Sequence, residues 1–115
     1  MLHDARYTYG TRLETSPGTN PEELVAAAHA GCFSMALSGQ LMKDGLTPDR
    51  IATAATVTLE KTDAGQTVTM VRLDVRARVP GASAAQLAAA ATNAKTTCPI
   101  SRLLRADITV EARLE

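Results

Sequence analysis

The chain is expected to fold as one α+β domain over residues 1–115, with antiparallel sheet packed on two main helices. Three observations predict this. Residues 24–42 form a nearly unbroken apolar run between helix start and stop signals. A second, alanine-rich run follows Pro80. The stretches around them alternate polar and apolar residues with the period of a strand.

Arg6 to Glu14 is the first of these stretches. Tyr7, Tyr9, Thr11 and Leu13 share one parity, Arg6, Thr8, Gly10, Arg12 and Glu14 the other, so a strand is predicted. Ser16-Pro17-Gly18 ends it. Asn20 then reads as an N-cap, Pro21 as the first helical residue, and Glu23 as a capping-box carboxylate reaching back. The helix should run to Met42, where Lys43-Asp44-Gly45 supplies a stop. Its apolar residues surround the axis, which predicts a long, buried central helix covered on every side. In a chain of 115 residues, a second subunit is expected to supply part of that cover.

Ile51 to Glu60 alternates as a strand. Lys61 to Gly65 makes a hairpin loop, and Gln66 to Val79 returns. The returning strand changes phase: Val68 and Met70 share one parity, Val71, Leu73, Val75, Ala77 and Val79 the other. One extra residue near Met70-Val71, a β-bulge, reconciles them. After Pro80-Gly81, Ser83 and Gln86 form a capping box for a helix reaching about Lys95. Cys98-Pro99 interrupts it, because the residue before proline avoids helical geometry. A short helix from Pro99 to about Leu104 and a closing strand from Ile108 to Leu114 complete the chain.

Charge and cysteine content exclude several classes. Lys+Arg and Asp+Glu are both 12, with no basic run, which argues against a nucleic-acid or anionic-membrane partner. Residues 24–42 are long enough to span a bilayer, but His29, Ser34, Ser38, Gln40 and many alanines make them weakly hydrophobic for that role. A signal sequence is not expected, since the first residues lack the charged-then-apolar pattern. Two cysteines are too few for a secreted disulfide framework, so a cytoplasmic, reducing setting is expected.

Those cysteines are the main candidates for chemistry. Cys32 lies mid-helix, where the dipole gives no help and burial raises the thiol pKa. It is either core filling or a reactive thiol served by a cation from elsewhere. Cys98 sits at the N-cap of the short helix, where free amides favour a thiolate; it is either a plain cap or a low-pKa thiol. Glu22 and Glu23 both suit the helix dipole, and the one not used in the capping box is free to hold an arginine. Arg6 and Arg12 share a strand face, and either could deliver the cation. His29, one turn before Cys32, is a possible base or a metal partner. His29, Cys32 and Cys98 form a sparse zinc set without CxxC spacing, so neither a metal nor a cofactor is expected.

Gly18-Thr19-Asn20-Pro21-Glu22-Glu23-Leu24, Ala27-Ala28-His29-Ala30 and Cys32-Phe33-Ser34-Met35-Ala36-Leu37-Ser38 together resemble the signature of the OsmC/Ohr family of thiol-dependent hydroperoxide reductases. Ala94-Lys95, Cys98-Pro99-Ile100-Ser101 and Leu103-Leu104 resemble its second cysteine motif, and Thr11-Arg12-Leu13-Glu14 its OsmC-like branch. The resemblance implies an OsmC-like fold, an intertwined homodimer with active sites at the subunit interface, and a role in oxidative or osmotic stress defence. It implies that Cys32 is the peroxidatic cysteine, Cys98 the resolving cysteine, Arg12 the catalytic arginine and Glu22 the carboxylate that orients it. The implied substrate is an organic hydroperoxide, and the implied reductant a dithiol of lipoamide type. Family chains usually begin with a further strand or strand pair before residue 7, so here a sheet edge and part of the dimer's embrace are expected to be missing.

The chemistry agrees with that likeness. A thiol of pKa about 8.5 is only a few per cent ionised at pH 7, so full ionisation gains roughly 30-fold. A fixed guanidinium that also stabilises the alkoxide leaving the broken O–O bond adds about 10²–10³ more. Two other readings use the same residues. One is a redox-sensing or structural dimer without turnover; the other is a metal-binding protein.

Overall fold

The computed structural model describes residues 3–115. Its elements in chain order are α1 (Tyr9–Leu13), α2 (Pro21–Lys43), β1 (Arg50–Thr62), β2 (Gly65–Arg78), α3 (Ala84–Thr97), α4 (Pro99–Leu103) and β3 (Asp107–Leu114). The three strands form one sheet in the order β1-β2-β3.

Side-chain parity decides which face of the sheet is covered. Val71, Leu73, Val75 and Ala77 of β2 are buried. They stand opposite Val57, Ala55, Thr53 and Ile51 of β1, and opposite Ile108, Val110, Ala112 and Leu114 of β3. Each row carries apolar groups to the face on which α2 and α3 lie, where they join Phe33, Leu37, Leu41, Leu87, Ala90 and Ala94 in one core. A fully buried Leu, Val or Phe contributes about 1.5–3 kcal/mol. The other face carries Arg72, Asp74, Glu111 and Arg113, joined by ion pairs.

The predicted bulge is present. Thr58 pairs with Met70 and Leu59 with Val68, which leaves Thr69 as the extra residue of β2. The capping box of α3 is also formed: Ser83 Oγ accepts from the Gln86 amide, and Gln86 Oε1 accepts from the Ser83 amide.

Two expectations are corrected. The stretch Arg6 to Glu14 is not a strand. Thr8 and Thr11 make reciprocal side-chain-to-amide hydrogen bonds that open the short helix α1. Alternation alone supplies no neighbouring strand, and these local caps win. The sheet is mixed rather than antiparallel, since β1 and β2 are antiparallel but β2 and β3 are parallel. The crossover through α3 and α4 carries the chain back to the starting end of the sheet, as a parallel connection requires.

Within one chain α2 is buried on one side only. His29, Phe33, Leu37 and Leu41 recur every four residues as its buried stripe. Leu24, Met35 and Met42 are exposed, Met35 to 77%. By length and composition α2 could cross a bilayer, with mean hydropathy 1.3 over its best window. Its buried stripe instead packs into the core.

Candidate active site

The N-terminus of α2 is built as a junction. Asn20 Oδ1 accepts from the Glu23 amide, and Asn20 Nδ2 donates to the Thr11 carbonyl, tying α1 to the helix start. The Glu23 carboxylate does not reach back to the cap amide as predicted; it accepts from the Thr19 hydroxyl at 3.1 Å. Glu22 is thereby left free, and Arg12 Nε donates to its Oε2 at 3.1 Å. Gly18 makes the approach possible. Its φ is +131°, and a Cβ there would collide with the Arg6 carbonyl. That carbonyl accepts from the Thr19 amide at 2.8 Å.

Further along α2, Cys32 meets Cys98 at the α3–α4 junction. Cys98 is both the C-cap of α3 and the N-cap of α4, as the Pro99 restriction requires. Both thiols are free, with their sulfurs 2.9 Å apart. Cys98 is fully buried and Cys32 partly so. Cys32 opens onto a groove of about 790 Å³ lined largely by Ala27, Gly31, Met35 and Ala36 of α2, with Pro99 and Ile100 opposite.

The two thiols are pushed in opposite directions. Burial raises the Cys32 pKa, and the hydrogen bond to Cys98 raises it further, against a smaller pull from the Ile100 amide. Burial also acts to raise Cys98. Hydrogen bonds from Cys32, from the Ser101 amide and hydroxyl and from the Ile100 amide outweigh it and bring Cys98 below the ordinary thiol value.

The structure brings Cys32 to Cys98 and Arg12 to Glu22, but it does not bring one pair to the other within a chain. Glu22 lies in the first turn of α2, and Cys32 is nearly three turns later, about 15 Å along the axis at 1.5 Å per residue. Arg12 and Glu22 line a separate hollow of about 310 Å³ beside β1. Within one chain the Arg12–Glu22 pair and the Cys32 thiol thus line different hollows. His29 is not placed as a base for Cys32 either. Its Nε2 lies 2.7 Å from Ser101 Oγ. Ser101 and the second hydrogen bond of Asn20 were missed by sequence reasoning. The available signal for Ser101 was its hydroxyl three residues after Cys98, in the first turn of α4.

Among the described residues no three of His, Cys, Asp and Glu converge as a metal site.

The profile of the OsmC-like protein family matches residues 14–113. Over 115 residues the chain is 45% identical to Peroxiredoxin OsmC of Escherichia coli, covering all of this chain and 80% of that protein. It is 32% identical over 98 residues to an organic hydroperoxide resistance protein of Xanthomonas axonopodis pv. citri, covering 84% of this chain and 67% of the relative. Among solved structures, the organic hydroperoxide resistance protein OhrB of Bacillus subtilis superposes with a TM-score of 0.75 at 27% identity, over 86% of this chain and 73% of that one. An OsmC-like protein of Vibrio cholerae has the same fold, with a TM-score of 0.75 at 23% identity, over 84% of this chain and 65% of that one.

Proposed function

Because this chain belongs to the OsmC-like protein family, we propose that it is a cysteine-based peroxidase that reduces organic hydroperoxides to alcohols. The observation that carries the reading is the Cys32–Cys98 pair, 2.9 Å apart beside an apolar groove.

The Cys32 thiolate attacks the terminal peroxide oxygen, the O–O bond breaks, and the alcohol leaves with a proton. The resulting sulfenic acid on Cys32 is attacked by Cys98, which forms the disulfide and releases water before over-oxidation can proceed. A dithiol of lipoamide type then restores both thiols by exchange and is itself oxidised to a disulfide.

Activation of Cys32 needs a second copy of the chain. Within one protomer burial holds the thiol up, and the Arg12–Glu22 pair stands about 15 Å away along α2. The exposed apolar side of α2, with Leu24, Met35 and Met42, is the surface on which a homodimer would pack. Packing there brings Arg12 of the partner subunit to Cys32. Its guanidinium suits the task because Glu22 can hold one side of the planar fork while the other faces sulfur and peroxide oxygen.

The deciding experiment is steady-state turnover of cumene hydroperoxide with dihydrolipoamide, compared with hydrogen peroxide. Rapid turnover that favours the organic substrate is expected. Oxidation of the cysteines without turnover would instead identify a redox-sensing dimer.

A further inference from the structure

His29 is fully buried, and its Nδ1 has no hydrogen-bond partner. Its other ring nitrogen lies 2.7 Å from the Oγ of Ser101, which is itself buried. A buried polar group bonded at one end and orphaned at the other is costly, so its tautomer is informative. Orphaned buried N–H donors are rarer than under-used acceptors, which places the ring proton on Nε2 and leaves Nδ1 as a bare lone pair. In that tautomer Nε2–H donates to Ser101 Oγ. The Ser101 hydroxyl hydrogen is then free to point away from the ring. Ser101 occupies the first turn of α4, three residues after Cys98, where a side chain folds back toward the N-cap residue.

We propose that His29 is a positioning residue for Cys98: by donating to Ser101 Oγ it holds the Ser101 hydroxyl as a donor to the Cys98 sulfur. The proposal rests on the peroxidase reading and assigns the second half of its cycle. When Cys98 attacks the Cys32 sulfenic acid, the S–S bond forms and the S–O bond breaks. Hydroxide leaves and takes up the proton that the Cys98 thiol gave up, forming water. When a dithiol reductant attacks the Cys32 sulfur, the S–S bond breaks and Cys98 departs with the electron pair. The same hydroxyl donor stabilises its negative charge. The reductant's second thiol then displaces Cys32 and closes its own disulfide, so electrons balance. The electrostatics agree with this arrangement: burial lowers the His29 pKa, which disfavours a charged ring, and the Ser101 hydroxyl pulls the Cys98 pKa down.

Among the described residues, the hydrogen-bond partners around Cys98 are uncharged. From α2 it faces Cys32, with His29 behind Ser101. Lys95 of α3 and Arg102 of α4 are exposed.

The test uses the 115-residue chain carrying Cys32→Ser, so that Cys98 is the sole thiol, and follows thiolate ultraviolet absorbance against pH. In that background Ser101→Ala should cut the thiolate fraction at neutral pH roughly tenfold, and Ser101→Thr, which keeps the hydroxyl, should restore it. His29→Gln, which keeps an N–H donor without a titrating ring, should hold the unsubstituted profile, and His29→Leu should match Ser101→Ala. In chains with both cysteines, the rate of disulfide formation relative to sulfenic acid formation should fall by a similar factor at pH 7. It should recover at high pH, where Cys98 ionises unaided; damage to packing alone would persist at every pH. An unchanged Cys98 titration in Ser101→Ala overturns the proposal even if His29→Leu fails to fold. Because this titration needs no peroxide, it is decided separately from whether the chain turns over hydroperoxide.

Discussion

Cys32 and Cys98 are in sulfur–sulfur contact at 2.9 Å, yet their surroundings favour the thiolate on Cys98 and disfavour it on Cys32. A peroxidase needs the reverse order for its first step. Under the proposed cycle, Cys98 would be the resolving cysteine, already favoured as thiolate, and Cys32 the peroxidatic cysteine awaiting a cation.

Arg12 from a second protomer should be that cation. Mixing Arg12→Ala chains with Cys32→Ser chains should regenerate one intact site in each mixed dimer. Under random association that is roughly a quarter of full activity, from two parents that are each nearly inactive. No recovery on mixing, with subunit exchange verified by mass, would mean that Cys32 and Arg12 serve each other within one chain. Arg12→Lys should be severely impaired, since lysine keeps the charge but not the planar fork.

The cysteines should separate cleanly. Cys32→Ser should abolish peroxide consumption. Cys98→Ser should complete one turnover and then accumulate sulfinic acid on Cys32, detectable as a mass gain of two oxygens. Sustained dithiol-driven turnover by Cys98→Ser, without over-oxidation, would remove Cys98 from the resolving role.

Asn20 should affect stability and activity by different routes. Asn20→Ala loses both the cap of Glu23 and the tie to Thr11, and should cost about 1 kcal/mol in denaturant unfolding. Asn20→Asp keeps the accepting oxygen and loses the donor to Thr11. It should be nearly as stable as the unsubstituted chain, yet turn over more slowly because the segment carrying Arg12 is released. Equal kcat in Asn20→Asp and the unsubstituted chain would show that the tie does not position Arg12.

His29 makes stability depend on pH. Burial depresses its pKa below the ordinary 6.5, so between the folded value and 6.5 the unfolded chain binds more protons than the folded one. Stability should therefore fall as pH drops from about 6.5 toward the folded pKa. His29→Gln should flatten that part of the profile. Chemical denaturation from neutral to acidic pH measures it, and parallel slopes in the two chains would contradict the assignment.

Much of this arrangement is legible in local sequence. Asn20-Pro21 marks the start of α2 and Ser83 with Gln86 that of α3, because capping is a property of four adjacent residues. The parity change in Gln66 to Val79 locates the bulge to within two residues of Thr69. Other features are not local. Ile108 to Leu114 alternates identically whichever way it pairs, so its parallel direction is fixed only by the crossover through α3 and α4. Thr8 and Thr11 satisfy a strand pattern and a capping box at once, and among the described residues no strand lies beside them to decide for the former. His29 finds Ser101 across 72 positions, and no spacing rule announces such a contact. Motif likeness pairs Arg12 with Glu22, but it cannot say that about 15 Å of helix separates that pair from Cys32 in the same chain.

Gly31 and Gly39 lie on the exposed side of α2, and a Cβ at either would meet nothing within 4 Å. The chain's own packing does not require them, and each weakens an isolated helix by about 1 kcal/mol relative to alanine. If a partner helix takes up that room, the deficit is recovered only on association, and thermal stability becomes a function of protein concentration. Serial dilution should then lower the melting temperature of this chain. Gly31→Ala should raise the melting temperature of the dilute form while weakening the concentrated one.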